Sequence, residues 1–199
     1  MANSGNNTIE KFNSSGVGSV FAAASLSNPL DLAFDGSGNL FVSNGGAGYY
    51  NGTIERFNPS GVGSVFASGL RAPVGLAFDS NGNLFFSNVG TIGTTGQNGT
   101  IEKFNSSGVA SVFASGLNDP YGLAFDSSGS LYAVNSGENT ILKYNSSGAA
   151  SVFASSGVSF PIFVAIQVPE PDSLVMFGLG LSGVALSRLR QRFREHCLR

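Results

Sequence analysis

The chain has 199 residues, only 10 basic and 12 acidic side chains, a net charge of −2, and 76 positions taken by Gly, Ser or Asn. A solvated linker would not carry 17 Phe and 5 Tyr, so the chain has apolar surface to bury, and its length fits one domain. A single Cys and a single His exclude a disulfide framework and a Cys/His zinc site, and five basic against nine acidic groups over residues 1–167 leave no basic face for nucleic acid.

In chain order, TIEKFNSSGVGSVFA at 8–22 returns as TIERFNPSGVGSVFA at 53–67, TIEKFNSSGVASVFA at 100–114 and TILKYNSSGAASVFA at 140–154. Between these copies lie LAFDGSGNLFVSN at 32–44, LAFDSNGNLFFSN at 76–88 and LAFDSSGSLYAVN at 123–135. Each unit holds four apolar runs separated by Gly, Asn, Ser or Pro clusters, which predicts strands A (LAFD), B (NLFVSN), C (TIEKF) and D (SVFA). Residues 1–22 form a partial unit, because MANSGNNTIEKF aligns with AVNSGENTILKY at 133–144. Full units occupy 29–67, 73–114 and 120–154, and SFPIFVAIQ at 159–167 aligns with DPYGLAFD, placing a lone final A strand at 160–167. The opening reads as a blade cut short, with further strands and a signal peptide expected upstream of Met1.

The A-to-B and C-to-D spacings do not vary, whereas B-to-C takes three different lengths. In an up-and-down sheet this puts all length variation at one end, the usual place for recognition on a repeat scaffold. Four strands per unit of 40–47 residues predict β-propeller blades. Bulky Leu32 and Phe34, with Leu76/Phe78 and Leu123/Phe125, alternate with Ala33, Ala77 and Ala124, as stacked blades require. Charges on strand C, among them Glu10, Lys11, Glu55, Arg56, Glu102, Lys103 and Lys143, suit a wet outer edge.

The pattern PxGLAFDxxGNLFxSN…GTIxKF resembles the NHL-type repeat and related six-bladed propellers such as the gluconolactonase and streptogramin-lyase families. The resemblance implies architecture rather than activity, since such scaffolds host enzymes and binding modules alike. NHL units commonly have Asp after strand B, where this chain has Asn44, Asn88 and Asn135.

After Gln167 the composition changes. VPEP at 168–171 precedes SLVMFGLGLSGVALSRL at 173–189 and the arginines 188, 190, 192, 194 and 199. A helix over 173–189 reaches at most ~25 Å, short for a hydrocarbon core of ~30 Å, and the basic cluster sets the tail in the cytoplasm. This order resembles the PEP-CTERM sorting signal of Gram-negative bacteria over residues 168–194. The resemblance implies processing by an exosortase, with Val168, Pro169, Glu170 and Pro171 as recognition element and Arg188, Arg190, Arg192 and Arg194 as basic stop. It also implies a transient stay in the inner membrane and then display at the cell surface or in the matrix.

Asp35, Asp79 and Asp126 sit in D-x-[SN]-G-[NS] turns and read as caps of their own turns. An EF-hand fails, because Gly46, Gly90 and Gly137 stand where its closing Glu belongs. Gluconolactonase-like propellers hold a metal in the central channel, and Asn44, Asn88 and Asn135 are weak candidates to supply oxygens of that kind. Streptogramin-lyase chemistry needs a His base, and the chain's one His is His196. The variable rim carries Tyr49, Tyr50, Arg71, Gln97, Asn118, Tyr121 and Glu138, groups suited to sugars or proteins. The sequence therefore predicts an all-β propeller of about four four-stranded antiparallel blades, the first incomplete, followed by a C-terminal transmembrane α-helix. The expected role is an exported, noncatalytic surface or exopolysaccharide-binding protein without cofactor. A metal-dependent lactonase-like hydrolase is the alternative.

Overall fold

The computed structural model describes residues 1–46, 51–90 and 98–167. Blade I holds β1 (Ala2–Asn3), β2 (Thr8–Phe12) and β3 (Gly18–Ala22), and blade II holds β4 (Pro29–Phe34), β5 (Leu40–Asn44), β6 (Gly52–Phe57) and β7 (Gly63–Leu70). Blade III is β8 (Pro73–Phe78), β9 (Leu84–Asn88), β10 (Gly99–Phe104) and β11 (Ala110–Leu117), and blade IV is β12 (Pro120–Phe125), β13 (Leu131–Asn135), β14 (Thr140–Tyr144) and β15 (Ala150–Ala154). Each sheet is antiparallel with its strands in chain order, three strands in blade I and four in each of the others. The architecture is all-β and fits a propeller. The inner strands β4, β8 and β12 lie side by side.

Seven turns of fixed length are closed by one recurring clamp. In the A-to-B turns, Asp35 Oδ1 accepts from the amides of Ser37 and Asn39, and Asp79 and Asp126 repeat the geometry. In the C-to-D turns Asn13, Asn58, Asn105 and Asn145 do the same with their Oδ1 atoms. The clamp needs a left-handed residue three places on, and Gly fills it each time, as in Gly38 at φ 80° and Gly61 at φ 81°. The hydroxyl of Ser128 and the amide of Ser130 hold the Asp126 carboxyl well below the usual carboxylate range, with Lys143 3.4 Å away.

The core is a series of blade joints. Between blades II and III, Ala33, Phe41, Ile54 and Phe66 meet Leu76, Phe78, Phe86 and Phe104. Between III and IV, Ala77, Phe85, Ile101 and Phe113 meet Leu123, Phe125, Leu131 and Tyr144. Blade I offers Ile9, Phe21 and Ala22 to Leu32, Leu40, Val42 and Phe57. Within the joints Phe41 packs edge-on against Phe66 and Phe78, and Phe85 against Phe113 and Phe125, with ring centroids 5.0–5.1 Å apart.

Two expectations need adjustment, and a third falls outside the described residues. Strand C is the third strand of each full blade, inside the sheet, and D forms the edge. Glu55 is accordingly buried at 2% exposure, while Val65, Val112 and Val152 of the D strands are exposed. Residues 161–167 form no ladder strand, although Gly122 N–H donates to the Ile162 carbonyl at 2.8 Å. The membrane helix expected at 173–189 lies outside the described residues, and within them no helix is long and apolar enough to cross a membrane.

Phe86 is fully buried and stacked on Phe104 at 5.4 Å. Phe86→Ala is expected to lower the unfolding free energy by about 3–5 kcal/mol, read from urea denaturation of both proteins. A loss under about 1 kcal/mol would show that the joint is not the core.

Candidate functional site

The end of the molecule opposite the clamped turns carries the B-to-C and D-to-A connections. Entry into each strand A is strained and repeated: Asn28, Ala72, Asp119 and Phe160 all have positive φ, each directly before a proline. The next residue along, Leu30, Val74, Tyr121 or Ile162, faces one cavity of about 280 Å³ that Pro29, Ala72, Val89 and Phe163 also line. The wall of this cavity is mainly apolar. Its residue types do not fit a bound metal ion, and the described residues contain no group of three or more His, Cys, Asp or Glu placed to hold one.

Polar groups instead gather where strand B ends and strand C begins. In blade II, Asn44 Nδ2 donates to Thr53 Oγ1 at 3.1 Å and to the Ser25 carbonyl at 3.4 Å, and Thr53 Oγ1 donates to Glu55 Oε1 at 3.3 Å. In blade III, Asn88 Nδ2 and Thr100 Oγ1 both donate to Glu102 Oε1, at 3.1 and 3.0 Å. Blade IV has Leu142 where the others have Glu, and Glu138 on a 3₁₀ turn takes over, accepting from Asn135 Nδ2 at 2.9 Å. The Asn oxygen ties down the connection entering its own blade: Asn135 Oδ1 accepts from Asn118 N–H at 2.8 Å and Asn44 Oδ1 from Ser27 N–H at 3.4 Å. Each of Asn44, Asn88 and Asn135 is thus bonded within its own blade.

Of the rim candidates, Arg71 and Asn118 lie on D-to-A connections, Tyr121 lines the cavity beside Leu30 and Val74, and Glu138 belongs to the blade IV network. Tyr49, Tyr50 and Gln97 lie outside the described residues, as do Val168, Pro169, Glu170, Pro171, Arg188, Arg190, Arg192 and Arg194. The Asn–Thr–Glu network itself escapes a motif scan, because its members are scattered over two strands. Its signal was the recurrence of Asn at the end of B with T-x-E at the start of C.

Three buried polar atoms in these networks have no partner among the described residues: Glu55 Oε2, Asn88 Oδ1 and Thr140 Oγ1. Burial pushes the Glu55 carboxyl above its ordinary value of 4.5, against one opposing bond from Thr53. The folded state therefore keeps this proton to higher pH than the unfolded chain does. The stability tied to it is full below the ordinary value and is lost as pH rises through the raised one. Glu55→Gln, which cannot ionise, is expected to gain in Tm over the wild type between about pH 4 and about pH 8. Thermal melts across that range check it, and a difference that stays constant with pH contradicts the assignment.

Comparison with known proteins adds two findings. A PEP-CTERM protein-sorting motif matches at residues 167–191. In structure, the chain is similar to a gluconolactonase from Xanthomonas campestris (TM-score 0.65, 18% identity, 79% of this chain and 59% of that one). It is also similar to virginiamycin B lyase from Staphylococcus aureus (0.62, 17%, 80% and 53%) and to a streptogramin B lyase structure (0.63, 16%, 80% and 52%). The chain spans about half the length of these structures. No curated protein matches it in sequence. The likeness corrects the expectation of a protein without enzymatic activity: this fold is shared with a lactonase and lyases, so the scaffold gives no ground for excluding catalysis. The chain is a propeller-like repeat protein that carries a PEP-CTERM sorting motif, which implies exosortase processing and export to the envelope or surface of a Gram-negative bacterium.

Proposed function

We propose that the protein is displayed at the cell surface or in its exopolysaccharide matrix, and that its B-to-C and D-to-A rim contacts polyhydroxylated carbohydrate there. The sorting motif at 167–191 carries the reading, because it supplies an address outside the cytoplasm. The rim supports it with amides, hydroxyls and carboxylates held in place by the Asn–Thr–Glu networks. The exosortase is the processing partner, the membrane is met through the tail before cleavage, and a surface polymer is the partner afterwards. In the exosortase-containing host, Glu170→Ala is expected to leave the protein in the membrane fraction and to cut the surface-exposed pool at least about tenfold, read by fractionation and surface proteolysis. An unchanged surface pool would mean that another signal directs export.

A second reading is turnover of a sugar lactone, which the structural likeness to gluconolactonase favours. Hydrolysis of gluconolactone by the purified full chain, followed by acid release, tests it. A rate above buffer that Asn88→Ala or Tyr121→Phe lowers at least about tenfold supports this reading, and background rates contradict it.

A further inference from the structure

Each joint between full blades opens at the clamped end into a crevice, and the two crevices are built from the same positions. Between blades II and III a cavity of about 440 Å³ is lined by Asp35, Arg56 and Phe66 of one blade and by Phe78, Leu84 and Ser106 of the next. Between blades III and IV a cavity of about 360 Å³ is lined by Asp79, Lys103 and Phe113, with Phe125, Leu131 and Ser146 opposite. Both volumes lie in the lower range of small-molecule sites, roughly 300–1,000 Å³. Each crevice thus combines one strand C cation with half-buried Phe rings and a turn hydroxyl.

A comparison of the three full blades shows why these cations stay unspent. Blade IV has Ser130 beside its turn carboxylate, and Asp126 Oδ2 accepts there from the Tyr132 hydroxyl at 3.2 Å and from Lys143 Nζ at 3.4 Å. Blades II and III have Asn39 and Asn83 at that position, and their amides donate to Asp35 Oδ2 and Asp79 Oδ2 at 2.7 Å. Oδ1 of each Asp already accepts two backbone amides, so these carboxylates are engaged by their own turns. Arg56, exposed, makes no hydrogen bond or ion pair among the described residues, and Lys103 Nζ only lies 5.7 Å from the centre of the Phe85 ring. Guanidinium and ammonium can only donate, and a ligand carboxylate is the acceptor that bonds them most strongly. The neighbouring Phe rings offer apolar contact to the C–H face of a sugar ring.

We infer that each of these two crevices takes one uronate residue of an acidic polysaccharide, its carboxylate bonded to Arg56 or Lys103 and its ring resting on the adjacent Phe side chains. The site lies at the other end of the blades from the proposed carbohydrate rim and shares with that reading only the setting in which such a polymer is met. The test titrates the isotope-labelled full chain with trigalacturonate, with maltotriose as its uncharged counterpart and with sodium acetate, following the backbone amides of Ser37 and Ser80 by NMR. These residues line the first and the second crevice. Trigalacturonate is expected to shift both amides saturably, and more weakly at high salt. Arg56→Gln is expected to raise the Kd read at Ser37 at least about tenfold while leaving Ser80 unchanged, and Lys103→Gln to do the reverse. Thermal melts matching the wild type confirm that both variants fold. Equal binding of maltotriose, or acetate saturating at the same concentration, would overturn the inference by showing a neutral-sugar site or a simple anion site. Trigalacturonate bound alike by wild type and both variants would overturn it too, placing the contact elsewhere and leaving the rim reading intact.

Discussion

No blade can bury its own faces, and that constraint organises the molecule. A four-stranded sheet has two of them, and the chain satisfies both by alternation along each strand, blade II sending Leu32, Leu40, Val42 and Phe57 to one joint and Ala33, Phe41, Ile54 and Phe66 to the other. Ala33, Phe41 and Phe66 therefore complete the face of the following blade, formed by Leu76, Phe78 and Phe104. The same joint recurs as Ala77, Phe85 and Phe113 against Leu123, Phe125 and Tyr144. Edge-to-face rings fill it without demanding side chains of identical length, which lets Tyr144 replace Phe at the position of Phe104.

Polar satisfaction follows the same modular logic, with substitutes where the repeat drifts. Ladder register shifts at the start of each strand A, between Pro29 and Asp31, Pro73 and Leu76, and Pro120 and Leu123. The amide left over there needs an acceptor. Ser43 Oγ accepts from Asp31 at 3.0 Å and Ser87 Oγ from Gly75 at 2.8 Å. Blade IV has Val134 at that position, and the Gly122 amide turns to the Ile162 carbonyl instead. Residues 161–167 thus have a structural task at the inner strand even without a ladder of their own.

Much of this was legible in the sequence because it is periodic. The four runs per unit, the Asp and Asn turn caps and the alternation of bulky and small residues on strand A all repeat, and repetition separates signal from chance. What repetition could not show was where a strand sits in its sheet and what its side chains touch. Glu55 looked like an edge charge, since its type is polar, yet its strand lies between two others and its bonds come from Asn44's neighbour Thr53. Tyr121 was read as a rim residue from its place beside a D-to-A connection, and it lines a cavity together with Leu30, Val74 and Ile162. Read across the units, the residue after each proline would have shown it. The expectation of a noncatalytic protein was weaker still, because the position of the chain's one His bears on His-dependent chemistry alone and the fold is shared with a lactonase and lyases.

The two ends of the blades answer to different constraints, which explains why variation is tolerated at only one. At the clamped end a side-chain oxygen bonds amides two and four residues ahead, so inserting a residue breaks two bonds and displaces the left-handed glycine. At the rim the anchoring groups stand on strand ends, before and after the variable stretch, and span it by side-chain contacts such as Asn44–Thr53 and Asn88–Glu102. A loop can then lengthen without disturbing either strand. Even the carboxylate can move, from Glu102 on a strand in blade III to Glu138 within the connection in blade IV. A scaffold built this way can alter its contact surface blade by blade while the joints beneath keep the same packing, and Arg71 replacing the small polar residue of its sister blades is one such alteration.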